Sequence, residues 1–93
     1  MLKISKEDLV PVINISLFDD LGNDYWEIFS IPQNDLTLII YFSQSVRGWE
    51  SEEWYSFDLT EKNILLFKQI QKLNNPVEQI KLLRLIEKER FYF

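Results

Sequence analysis

The side chains of this sequence best placed to act as catalysts are three closely spaced carboxylates, Glu50, Glu52 and Glu53. Two carboxylates can serve as general acid and general base when burial moves their pKa values apart. Acids this close together on a charged segment are instead expected to be solvated. Histidine and cysteine are absent, so the usual general base and every Ser-His or Cys-His nucleophile are missing. We therefore predict no catalytic residue and a protein that is not an enzyme.

A second acidic group offers oxygen ligands of the kind that calcium prefers: Asp19, Asp20, Asn23 and Asp24. The group lacks the alternating acids, the glycine position and the distal glutamate of a calcium-binding loop, and its residue types are those of a turn. Gly22 and Gly48 are the only glycines, too few for a phosphate-cradling loop or a dinucleotide fingerprint. The sequence thus predicts neither a metal site nor a cofactor.

Aromatic residues accompany the acids in the segment 47–58. A strand there would place Tyr55 and Phe57 on its core face and turn Trp54 outward among carboxylates. An exposed tryptophan is a typical anchor of a protein interface, and lysine or arginine stems can stack on its ring. The alternative is that Trp49 and Trp54 both pack in the core. The predicted partner-binding residues are Trp49, Glu50, Glu52, Glu53, Trp54, Asp58, Asp19, Asp20 and Asp24.

The elements that carry these residues are predicted from hydrophobic periodicity. Period-two alternation indicates strands at 12–18, 25–31, 36–42 and 53–57, with a turn at 19–24 in which Gly22 and Asn23 accept positive φ and a loop at 43–51. A helix at 9–21 is the alternative for the first strand, but Pro11 and three β-branched residues oppose it. Short connections favour an antiparallel meander.

The last third of the chain has helical periodicity. Asp58 and Glu61 resemble a capping box that would start a first helix ending near Asn74. Asn75 and Pro76 then have the types of an N-cap and a first-turn proline. The chain is therefore predicted to be an α+β domain, with an antiparallel sheet of about four strands covered on one face by a helical hairpin. Residues 91–93 are apolar enough to dock against the sheet or a second subunit.

Length and composition limit the number of domains and the size of the core. The 93 residues suffice for one domain, 1–93, and 46% of them are hydrophobic, enough for one core. Without cysteine the fold depends on packing alone. No signal peptide and no apolar run of membrane-spanning length is present, so we expect a cytoplasmic protein without a membrane partner.

Charge is unevenly distributed along the chain. Between Glu7 and Glu61 there are twelve carboxylates and one base, Arg47, whereas the remainder holds three acids and nine bases. The net charge of −5 is therefore a local −11 opposed by +6. Such a surface repels nucleic acid and attracts a basic protein. A cationic stripe at Lys81, Arg84 and Lys88 is better explained as a solvated helix face than as a nucleic-acid site.

In size, acidity and lack of cysteine the chain resembles bacterial immunity proteins and phage anti-defence proteins, although no motif is shared. We therefore expect an acidic, non-catalytic inhibitor that blocks the basic nucleic-acid-binding cleft of a nuclease or toxin and does not bind nucleic acid itself. The alternative is a self-associating structural or adaptor subunit, such as a homodimer, in which the acidic sheet surface of one copy meets the basic helices of another.

Overall fold

This α+β chain forms a five-stranded antiparallel sheet, with a pair of helices between the fourth and fifth strands. A computed structural model describes residues 4–93. After a short 3₁₀ helix, Lys6–Asp8, the strands run in the spatial order in which they occur in the sequence. The strands are β1 (Val10–Asp19), β2 (Gly22–Ile31), β3 (Asn34–Val46), β4 (Trp49–Asp58) and β5 (Glu89–Arg90), and the helices are α1 (Glu61–Lys72) and α2 (Pro76–Leu85). The predicted meander and helical hairpin are confirmed.

The central strands are longer than predicted. The expected loop at 43–51 is wrong, because β3 and β4 continue to a two-residue turn at Arg47 and Gly48. Both residues have positive φ, 46° and 84°. Left-handed residues at both turn positions match the twist of the flanking strands and allow this short connection. A fifth strand, β5, was not predicted.

Gly22 is required for a reason other than the expected positive φ. A Cβ atom at this position would lie 1.9 Å from the backbone oxygen of Ser45 on β3. The preceding turn is closed by Asp19, whose carboxylate accepts hydrogen bonds from the N–H groups of Leu21 (2.8 Å) and Gly22 (2.9 Å). Glycine therefore allows β2 and β3 to approach, while the aspartate holds the turn.

The main core lies between the sheet and the two helices. Alternate strand residues such as Ile15, Ile28, Ile40 and Phe57 pack against a helical stripe from both helices: Ile70, Ile80, Leu83 and Ile86. The central strand is also buried on its other face, since Ile39 is as inaccessible as its neighbours Leu38 and Ile40. The sheet is therefore covered on both faces along part of its length.

The two helix starts differ in how well the sequence predicts them. Asn75 is the N-cap of α2 as predicted, and its side chain accepts from the N–H of Glu78 at 3.1 Å. The prediction of Asp58 as the cap of α1 is wrong, because Thr60 accepts from the N–H of Asn63. Asp58 instead ends β4 and accepts a hydrogen bond from the Thr37 hydroxyl at 2.9 Å.

Two buried side-chain amides connect the helices to each other and to the end of β4. Asn63 donates to the carbonyl oxygens of Asp58 (2.8 Å) and Glu87 (3.0 Å), and its own oxygen accepts from the N–H of Glu87 (3.0 Å). Gln79 donates to the carbonyls of Ile70 and Leu73 at the end of α1. Asn63 thus joins the end of β4 to the segment that follows α2, and Gln79 joins α2 to carbonyl groups at the end of α1.

Replacing Asn63 with alanine is expected to reduce the free energy of unfolding by about 3 kcal/mol, because three hydrogen bonds to backbone groups are lost at a buried side chain. Asn75→Ala should cost only ~1 kcal/mol, the usual scale for an exposed N-cap. Urea denaturation measures both changes, with the exposed Asn74→Ala as a neutral control. An Asn63→Ala loss no larger than that of Asn75→Ala would show that the amide does not hold the fold together.

Candidate functional site

The strand register brings five of the nine predicted site residues to one end of the sheet. Gly22 is the partner of Asp19 in one ladder and of Val46 in the next, and Val46 pairs with Trp49. The β1-β2 and β3-β4 turns therefore lie side by side. We call this end the acidic tip, and its predicted residues are Asp19, Asp20, Asp24, Trp49 and Glu50.

The other four predicted residues are distributed along β4. Glu52 and Trp54 lie on the face away from the helices, which we call the open face, and Glu53 lies on the helix face. Asp58 is at the far end of the strand, roughly 30 Å from Trp49 at the usual rise per residue. The nine residues therefore do not form one contiguous surface.

The acidic tip is not neutralised by neighbouring bases. Within residues 4–93 the ion pairs are Lys62 with Glu87, Lys81 with Glu78 and Arg90 with Glu53, at 3.2, 3.3 and 3.4 Å. All three lie outside the tip, where the one base is Arg47 in the adjacent turn. The four tip carboxylates therefore add to a negative field that extends into solvent over about one Debye length.

Exposed apolar side chains accompany these charges. Trp49 is 59% exposed, and Phe18 and Leu21 of the β1-β2 hairpin, at the same end of the sheet, are 75% and 57% exposed. The alternative that Trp49 packs in the core is thus wrong. Sequence reasoning missed Phe18 and Leu21. The signal for Phe18 was its phase, because it follows Leu17 and so falls on the polar face of β1.

Trp54 is half-buried, so the expectation of an exposed ring is wrong. Its ring packs against Tyr41 (4.7 Å between centroids), Phe93 (4.8 Å) and Phe29 (6.0 Å). The ammonium of Lys6 lies 5.3 Å from the ring centroid. The stacking lysine that was expected from a partner therefore comes from the chain itself. Trp54 also holds segments from both ends of the described chain, Lys6 and Phe93, against the open face.

Glu53 is likewise engaged within the chain. Its carboxylate accepts a hydrogen bond from the Tyr55 hydroxyl and pairs with Arg90. The expected stripe of Lys81, Arg84 and Lys88 is also not continuous, because α2 ends at Leu85. Lys88 turns over the Tyr55 ring, and burial followed by the charge of Arg84 lowers the pKa of its ammonium.

Two tyrosine-glutamate pairs lie on the open face near the tip. Tyr25 donates to Glu27 at 3.0 Å, and Tyr41 donates to Glu52 at 2.8 Å. Burial is the larger cause that raises the pKa of each phenol, and the hydrogen-bonded carboxylate raises it further. Both hydroxyls therefore stay protonated near neutral pH and act as hydrogen-bond donors that hold the carboxylates in place.

A shallow depression of about 280 Å³ lies beside these pairs. It is lined by Asn23, Tyr41, Ser43, Gln44, Ser45, Glu50, Ser51 and Glu52. The side-chain oxygen of Asn23 is buried there and receives no hydrogen bond from residues 4–93. Across the same part of the chain, no three His, Cys, Asp or Glu side chains converge to hold a metal ion. The depression and the tip offer hydrogen-bond acceptors and negative charge, which suit a basic ligand.

No protein-family model, curated protein or solved structure matches this chain. Neither described helix has the length and apolar character needed to cross a membrane. The candidate site is therefore defined by its own geometry.

Replacing Glu52 with glutamine is expected to lower the pKa of Tyr41 toward its ordinary value of 10.0 without reaching it, because burial, the larger cause, remains. The folded state favours the neutral phenol. The stability that this preference contributes is fully present below pH 10.0, the ordinary pKa, and is lost as the pH rises through the raised pKa of the folded state. Tyrosinate absorbance during an alkaline titration measures the shift, with Tyr41→Phe to assign the signal.

The distant Asp35→Asn substitution is the control for removal of one negative charge, since Asp35 lies at the opposite end of the sheet. An equal change in the Tyr41 titration for both variants would mean that overall charge, and not the hydrogen bond, supports the raised pKa.

Proposed function

We propose that this chain is a non-catalytic acidic protein-binding module, of the immunity or anti-defence type, that inserts its acidic tip into the basic nucleic-acid-binding cleft of a nuclease or toxin. The observation that carries the proposal is the exposed Trp49 among unpaired carboxylates at the end of the sheet. The tip would occupy the place of nucleic-acid phosphates, so its partner would be inhibited by exclusion.

Electrostatics supports a basic partner. The carboxylates of Asp20, Asp24 and Glu50 carry no ion pair with residues 4–93, so their field is available to steer a cationic surface. Such steering raises association rates and decreases steeply with ionic strength. The same field opposes the approach of nucleic acid, which is why the proposal assigns the binding of nucleic acid to the partner.

Apolar anchors supply the second requirement of an interface. Charged rims mainly set association rate and specificity, whereas buried aromatic groups dominate the affinity. Trp49, Phe18 and Leu21 are exposed at the same end of the sheet. Trp49 lies on the helix side of β4 and Phe18 on the open face of β1, so the anchors flank the tip on both sides. Burying a tryptophan in a partner pocket would stabilise the complex by the amount typical of a central anchor.

Short turns make the tip a preorganised surface. The β3-β4 connection contains only Arg47 and Gly48 in fixed left-handed conformations. The β1-β2 connection is closed by the two hydrogen bonds to Asp19. Little conformational entropy is therefore lost when the tip binds, which favours affinity. Asp19 has this structural role in addition to its charge.

The charge and the anchor of the tip should affect different rate constants. A basic partner captured on the immobilised chain at low salt, identified by mass spectrometry and purified, allows both to be measured by surface plasmon resonance. Asp20→Lys with Glu50→Lys should slow association about tenfold or more through lost steering. Trp49→Ala should speed dissociation about thirtyfold, which corresponds to ~2 kcal/mol.

The matched control carries the same change of charge away from the tip, at the exposed Asp35 and Glu7. Its association rate should stay near that of the wild-type protein. The proposal fails if the tip and control variants slow association equally, or if the captured partner keeps full nuclease or nucleic-acid-binding activity in the complex.

A further inference from the structure

Within residues 4–93, no strand lies beside the outer edge of β1. In the order of the sheet β1 is the first strand, and its one ladder is formed with β2. Across the described part of the chain, the ten residues of Val10–Asp19 therefore leave their outward N–H and C=O groups without a strand partner. Such an edge is a template for pairing with another strand.

The outer edge of β4, at the other side of the sheet, is protected against pairing with another strand. β4 is paired on its outer side at Tyr55 and Ser56, and Trp54 accepts from the N–H of Phe91. Its remaining stretch, 49–53, carries three glutamates in five residues. The stretch 10–18 of β1 carries no charged residue in nine. Charged side chains discourage edge-to-edge pairing, so β4 is protected and most of β1 is not.

Apolar exposure is also concentrated along this edge. Val10, Val12 and Phe18 of β1 are exposed. Helix α2 packs beside this strand and exposes Val77 and Leu85. The one protective device in β1 lies near its start, where Pro11 lacks an N–H and the register shifts between Pro11 and Ile13. The regular ladder from Ile13 to Asp19 remains open.

We propose that two copies of this chain pair through antiparallel β1 strands about a twofold axis and form one continuous ten-stranded sheet. Antiparallel pairing of identical strands is self-complementary, as a closed dimer requires. It also sends the two acidic tips to opposite ends of the interface. The strand is about 34 Å long, several Debye lengths at physiological salt, so the two tips do not repel each other as they would in a parallel dimer.

The absence of charge along the strand favours a second copy as the occupant of this edge. Residues 10–18 carry no charged side chain, so two copies of the strand bring no like charges together along the interface. At each end the acidic turn of one copy lies toward the 3₁₀ helix of the other, which contains one base, Lys6, and two acids, Glu7 and Asp8, so the uncharged strand and not an ion pair carries the interface. The interface is distinct from an acid-to-helix association. It leaves Trp49 and Glu50 free in both copies, so the dimer would offer two tips to its partners. The dimer proposal stands independently of the proposed function.

Charge substitutions on the edge test the dimer directly. Asn14 and Ser16 are exposed residues of the open face that flank Ile15, at the middle of the regular ladder. If Ile15 lies on the twofold axis, position 14 of one copy faces position 16 of the other. If Ser16 lies on the axis, the two copies of position 16 face each other. Lysines at 14 and 16 are therefore close neighbours in either register. Sedimentation velocity of the wild-type chain at about 100 µM should give twice the chain mass of 11.3 kDa. Asn14→Lys with Ser16→Lys should raise the dissociation constant about tenfold or more.

A mixture of two variants with opposite charges on β1 provides the decisive experiment. Asn14→Glu with Ser16→Glu should also weaken self-association, whereas an equimolar mixture of the lysine and glutamate variants should restore a dimer. The control, Gln33→Lys with Asn74→Lys, places the same charge at exposed sites away from β1 and should remain dimeric. Circular dichroism verifies that each variant is folded.

Two results would overturn the proposal. One is a wild-type chain that stays monomeric at about 100 µM, which would leave the edge to a strand from another protein. The other is a dimer that the edge variants leave intact. Neither result depends on whether the acidic tip binds a basic partner, because Trp49 and Glu50 are unchanged in every variant.

Discussion

Burial of the central strand on both faces is the constraint on which the rest of this structure depends. Leu38, Ile39 and Ile40 are consecutive residues of β3, and all three are inaccessible to solvent. Successive strand side chains point to opposite faces, so one cover cannot bury them. The helical hairpin covers one face. The aromatic packing around Trp54, which includes Phe93 and the ammonium of Lys6, lies on the other.

These two covers explain why the sheet ends in an unneutralised acidic tip. Trp54 and Glu53 lie in the middle of β4, and both are engaged by residues from the ends of the described chain, Lys6 and Arg90. The turns at 19–22 and 46–49 lie beyond these contacts. The strands therefore carry acids past these bases, and the one base at the tip, Arg47, forms no ion pair with residues 4–93. Asp19 holds its turn through two hydrogen bonds. Because unpaired surface carboxylates interact weakly and repel one another, Asp20, Asp24 and Glu50 add little to stability. The composition of the tip needs an explanation outside the fold.

The fold could be predicted from periodicity, but which of the predicted site residues are free and which are engaged within the chain could not. The change from period two to period 3.6 identified the sheet and helices, and Asn75 with Pro76 marked the start of α2 correctly. Predictions failed where a distant contact decided the outcome. Thr60, rather than Asp58, caps α1 because Asp58 is held by β3 through Thr37. β5 contains two residues, too few for any periodic pattern. Trp54 alternates outward as expected, but no local pattern could show that residues 6 and 93 would cover it.

Self-association and partner binding make compatible demands on this sheet. An inhibitor that competes with nucleic acid needs its negative charge concentrated and its anchors free, whereas strand pairing between copies needs an edge without charge. The register meets both needs, because the carboxylates of the first hairpin lie in its turn or on β2, at Asp19, Asp20, Asp24 and Glu27, and residues 10–18 of the edge strand are uncharged. A carboxylate at Ser16 would extend the negative surface but place like charges across a β1-to-β1 interface. The sharp boundary between apolar edge and acidic turn is therefore the arrangement expected of a strand that pairs along its length and binds a different protein at its end.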